Sequence, residues 1–137
     1  MMQHLFTYGP VSFADAENVE LKETEIGMVP EEWDVKKCEG LCDKITVGVV
    51  VRPASYYVPS GRIALRSLNI REDYFDLNEV VYFSDKDNDT ILSKSKLLEN
   101  DVVIVRTGYP GTSCVVPKEL EGANCIDLVY LLSCPEA

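Results

Sequence analysis

Residues 22–35 read KETEIGMVPEEWDV, and this stretch constrains the chain more than any other. Gly27 permits a turn that a side chain would resist. Pro30 fixes φ and stops any helix that precedes it. Glu31 and Glu32 keep the segment in water, and Trp33 supplies one large apolar anchor. Such a segment leads a chain into a packed domain. The sequence therefore predicts a boundary near Glu25, with residues 1–24 as a helical remnant and linker and residues 25–137 as the globular domain.

The phrase resembles the opening "E-I-G-x-I-P-x-x-W" of target-recognition domains in the DNA-specificity (S) subunits of type I restriction-modification enzymes. Three further stretches extend the resemblance in the same order. Residues 1–11, MMQHLFTYGPV, are similar to the end of the spacer helix that precedes a second recognition domain. Residues 64–70, ALRSLNI, are similar to the "L-R-x-x-N-I" strand. Residues 98–111, LENDVVIVRTGYPG, are similar to "L-x-x-G-D-I-L-x-x-R-x-G-x-x-G". Asn100 stands where the family often has Gly. A full recognition domain would continue beyond residue 137, so the chain reads as a fragment of one.

Charge tests this reading. The net charge is −10, which opposes nucleic-acid binding because phosphate contact needs local positive potential. Its distribution is uneven. Between Asp43 and Glu72 there is no carboxylate, while Lys44, Arg52, Arg62, Arg66 and Arg71 all lie there, with Tyr56 and Tyr57 among them. A basic, aromatic-containing window in an acidic chain suits a surface turned toward DNA. The alternative is a chance cluster of solvated arginines.

The local patterns predict an α+β fold, a mostly antiparallel twisted sheet with two or three short helices. Helices are expected over residues 1–8, 38–45 and 90–98. Strands are expected over 33–37, 46–51, 62–70, 80–83, 101–106, 113–116 and 124–132. Residues 12–24 read as linker, 53–61 as loop, 84–89 as a charged turn and 108–111 as a hairpin turn.

No catalytic set is visible. His4 is the one histidine, placed in the N-terminal tail. Cys38 and Cys42 have C-x3-C spacing without a second pair, so core packing is the expectation for all five cysteines rather than zinc. The odd count favours a reducing cytoplasm over a disulfide framework. The run DKDND at 85–89 lacks the Gly and the bidentate Glu of a calcium loop. Gly108 and Gly111 lack the Gly-Lys-Ser/Thr of a phosphate loop. No Asn-Pro-Pro-Tyr or Asp-Pro-Pro-Tyr phrase of an adenine methyltransferase occurs. There is no basic-then-apolar secretory signal at the N-terminus.

The resemblance implies a non-catalytic reading head for half of a split DNA target, one that needs no cofactor of its own. Methyltransferase (modification) and endonuclease/translocase (restriction) partners would bind S-adenosylmethionine and ATP. The N-terminal tail could self-associate. The same kind of domain occurs with type II adenine methyltransferases, which is one alternative. An acidic interaction module or DNA mimic is another. The candidate DNA contacts are Lys44, Arg52, Tyr56, Tyr57, Arg62, Arg66, Asn69 and Arg71, with Arg106, Thr107, Tyr109 and Thr112 from the hairpin. Arg reads guanine and Asn reads adenine in two-pronged fashion.

Overall fold

A computed structural model describes residues 2–132. The chain divides into two compact units, the first ending at Lys37 and the second beginning at Cys38.

The first unit opens with helix α1 (Met2–Tyr8). Gly9 ends it with φ 79, its N–H donating to Leu5 O at 2.9 Å. A short 3-10 turn, Ala16–Asn18, leads into strand β1 (Leu21–Thr24). That strand pairs antiparallel with β2 (Gly27–Pro30), in register from Leu21↔Pro30 to Thr24↔Gly27. Part of the expected linker is thus a hairpin, and the expected boundary at Glu25 falls in its turn. Gly27, at φ 115, makes that turn possible. Trp33 packs over Gly9, where an added Cβ would lie 3.4 Å from Cζ2. Residues 33–37, expected as a strand, are irregular.

The second unit holds β3 (Ile45–Val47), β4 (Tyr57–Val58), β5 (Arg62–Leu65), β6 (Ile70–Arg71), β7 (Tyr74–Phe75) and β8 (Val81–Phe83). Helix α2 (Asp85–Asp89) follows, then β9 (Val102–Val105), β10 (Ser113–Val115), β11 (Asn124–Cys125) and β12 (Leu128–Leu131). One antiparallel sheet runs β10-β9-β12-β3 and a second runs β11-β5-β8-β4. Only the β11–β5 pair within them is parallel. β6 and β7 form a separate small hairpin. The fold is α+β, with mostly antiparallel sheets and two short helices. No helix among the described residues is long and apolar enough to cross a membrane.

Period-two alternation builds the core. Val103 and Val105 of β9 are buried opposite Tyr130 and Leu128 of β12. Leu65, Ile70, Leu97, Val116 and Cys125 complete the larger cluster. Ala64, Phe83, Leu92 and Ile126 form a smaller one.

Several expected elements are shorter or different, each for a local reason. The strand expected over 62–70 stops at Leu65, because Asn69 folds back to accept Arg66 N–H at 2.9 Å and shapes a 3-10 turn. The charged turn at 84–89 is α2, capped by Ser84 Oγ, which accepts Asp87 N–H at 3.1 Å. The helix expected over 90–98 is only a 3-10 turn, Ser93–Ser95. Its apolar residues split between buried Leu92 and Leu97 and exposed Ile91 and Leu98. The helix expected over 38–45 is only Cys38–Gly40, where Gly40 opposes helix continuation. The strand expected over 124–132 breaks at Asp127, φ 52, and its two halves join different sheets.

Candidate nucleic-acid interface

Among the arginines of the basic window, two hold carboxylates. Arg62 Nε donates to Asp85 Oδ1 at 2.9 Å across a solvent-exposed pair. Arg71 Nη2 lies 3.5 Å from Asp76 Oδ2. Arg66 is half-buried, with Nη2 donating to Glu79 O at 3.2 Å and a buried Nε that has no hydrogen-bond partner. The charges of Arg62 and Arg71 are thus met by carboxylates, while Arg66 reaches only a backbone carbonyl and keeps its charge.

Asn69 is fully buried. Its Nδ2 donates to Asp76 O and Glu79 O, both at 2.9 Å, while Oδ1 serves Arg66 N–H. Every polar atom of the amide is used, so Asn69 clamps a loop and is not available to read a base. Tyr56 and Tyr57 both lean on Phe83, with ring centroids 6.2 Å and 6.1 Å away. Arg52 is exposed from a left-handed backbone position at φ 46.

The β9–β10 hairpin has the expected form. Gly108 and Gly111 both sit at φ 96. Thr112 donates through Oγ1 to Tyr109 O at 3.1 Å, closing the loop. Tyr109 stands 85% exposed at its tip. At its base, Arg106 Nε donates to Asp127 Oδ1 at 2.7 Å, and Thr107 Oγ1 donates to Asp127 Oδ2 at 3.3 Å.

What the structure adds is a cleft of about 360 Å³ in the second unit. Lys44 and Lys94 line it, with Val50, Val51, Ile91 and Tyr56 as apolar walls. Among the described residues no carboxylate does so. Tyr130 also lines it, with its hydroxyl donating to Lys94 O. Burial, then the nearby Cys125 and Asp101, push the Tyr130 phenol up to about 12, so it stays neutral. Lys44 and Tyr56 were legible as candidates. Lys94 was not, because it reaches the cleft through contacts remote in sequence and carries no local signature.

Below the cleft lies a buried amide network that sequence reading also missed. Ser95 Oγ donates to Asn124 Oδ1 at 2.6 Å. Asn124 Nδ2 donates to Asn88 Oδ1 at 2.8 Å and to Leu92 O at 2.9 Å. Asn88 Nδ2 in turn donates to Gly122 O at 3.0 Å. These bonds fix α2 and the Ser93–Ser95 turn against β11, and so fix one wall of the cleft.

The chemistry available is anion recognition. Two lysines line the cleft beside apolar residues, and no described carboxylate is among the lining residues. His4, expected on a frayed end, donates through Nε2 to Val11 O at 2.9 Å and stacks 4.1 Å from Phe13. Burial pushes the Cys125 thiol up to about 12, which makes it a poor nucleophile. Cys114 is likewise raised by burial. Against expectation, Cys38 is exposed and Cys42 only half-buried. Among the described residues no group of three or more His, Cys, Asp or Glu could hold a metal ion. Compared with known proteins, the chain matches no family model and no curated sequence.

Proposed function

We propose that this chain is a non-catalytic DNA-recognition module, part of a specificity subunit of a type I restriction-modification system. The observation that carries the reading is the carboxylate-free cleft with Lys44 and Lys94 on an otherwise acidic chain. Contact there is to phosphate, and phosphate contacts position a protein without reading sequence. The exposed Tyr109 tip supplies a second contact point, with Arg106 beside it held by Asp127.

Two features support the resemblance. The four phrases occur in family order. Asn100, which departs from the family's Gly, sits at φ 69, a left-handed position where Asn is the best-tolerated substitute for Gly. The reading places the chain in a reducing cytoplasm beside methyltransferase and restriction partners, which supply the chemistry. A recognition domain of a type II adenine-methyltransferase system would use the same surface.

A second reading, an acidic interaction module or DNA mimic, is favoured by the pairing of Arg62, Arg71 and Arg106 with carboxylates. Fluorescence anisotropy with pooled random duplexes at low salt separates the two. DNA recognition predicts weak, salt-sensitive binding with little sequence preference from this chain alone. Absence of binding at low salt favours the acidic module.

A further inference from the structure

The first unit carries an apolar groove of about 750 Å³. Gln3, Phe6 and Thr7 of α1 form one wall, at the spacing of a single helix face. Ile26 and Met28 of the hairpin form another, and Trp33 lines it too. Phe6 is 60% exposed, Ile26 73% and Met28 45%. Three large apolar side chains gathered in water are a recognition surface rather than scattered exposure.

The groove has an acidic rim. Residues 2–37 hold eight carboxylates against Lys22, Lys36 and Lys37. Every one of those carboxylates is exposed. Glu23 lies opposite Met28 in the strand register, so their side chains share a face. Glu25 precedes Ile26 in the turn, and Asp34 lines the groove directly. Among the described residues Lys36 is the one cation lining it.

We propose that this groove takes the apolar face of a basic amphipathic helix supplied by a partner protein. An apolar trough between anionic edges matches a helix with an apolar stripe flanked by Lys or Arg. Charge decides against the other occupants. Nucleic acid would meet the carboxylate rim. A second copy offers the same acidic unit, and α1 carries no Lys or Arg with which to answer it.

Trp33 is the only tryptophan in the chain and reports directly from the groove. The full chain is titrated with a synthetic Leu/Lys helical peptide of about 18 residues lacking Trp and Tyr. Two controls are a scrambled peptide of the same composition and a Leu/Glu peptide with the same apolar face. The Leu/Lys helix alone shifts Trp33 emission to shorter wavelength. The affinity falls at least about tenfold in E23K/E25K and in F6S/M28S, and falls from about 0.05 M to about 0.5 M salt. These positions are exposed, and an unchanged far-ultraviolet spectrum shows that the variants fold. Equal binding of the scrambled or acidic peptide, or no response to any, overturns the proposal. So does a sedimenting dimer that F6S/M28S dissolves, since a second copy would then be the occupant. The DNA reading of the second unit stands or falls separately, on duplex binding.

Discussion

Asp127 grips Arg106 from a left-handed backbone position, its Oδ1 accepting Nε at 2.7 Å while φ stands at 52. The residue sits where the chain leaves β11 and enters β12, so one carboxylate both marks the sheet switch and neutralises the base of the hairpin. In D127N the left-handed backbone survives, because Asn tolerates it, and the negative charge is lost. If Arg106 faces DNA, low-salt duplex affinity rises roughly twofold to fivefold, a gain on the order of an exposed ion pair. Unchanged affinity in anisotropy titrations would place Arg106 away from the DNA.

Asn100 permits a cleaner stability test. At φ 69, N100G is neutral or stabilising by a few tenths of a kcal/mol, whereas N100V loses about 1–2 kcal/mol. Urea unfolding of the two variants orders them directly. A more stable N100V would mean that the turn relaxes out of the left-handed region.

The buried amides set a larger scale. N124A removes the amide partner of Asn88 Oδ1 and of Cys125 N–H, and takes one bond each from Ser95 Oγ and Leu92 O, which still bond each other. Leaving such groups unpaired costs about 2–4 kcal/mol in sum. R62A, which breaks an exposed pair with Asp85, changes stability by less than about 1 kcal/mol. A comparison of the two urea midpoints checks the contrast, and equal losses would refute the network's role.

Cysteine chemistry divides along burial. Cys38 is exposed and alkylates at once at mildly alkaline pH, while Cys125 is protected until the chain unfolds. Cys125 is raised from 9.0 to about 12 in the fold. Its contribution to stability is therefore complete below pH 9.0 and drains away as pH climbs toward 12. Tyr130, raised from 10.0 to about 12, adds to the decline. Unfolding free energy measured against pH should be free of a Cys125 contribution to its slope up to about 9 and fall beyond it, less steeply in C125A.

Local signals carried much of the fold. The apolar runs within 101–106 and 124–132 located the central strands, and Gly108 with Gly111 located the hairpin. Errors arose where a side chain competed with the backbone. Asn69 ended a strand by bonding Arg66 N–H, and Ser84 turned a charged stretch into α2. Asp127 split one apparent strand between two sheets. The candidate surface was legible only in part. Composition showed a basic window, but the partners that spend its charge, Asp85 and Asp76, lie outside that window. Lys94 joined Lys44 through contacts that no local pattern encodes.

Charge reversal in the cleft tests the central claim most directly. In K44E/K94E, both positions are solvent-exposed, so the fold should persist. Anisotropy titrations across a salt series give affinity and its salt slope together. DNA recognition through the cleft predicts at least about a tenfold loss at low salt, and a log–log slope shallower by about two. A double variant that binds duplex as the native chain does, with the same slope, would contradict it.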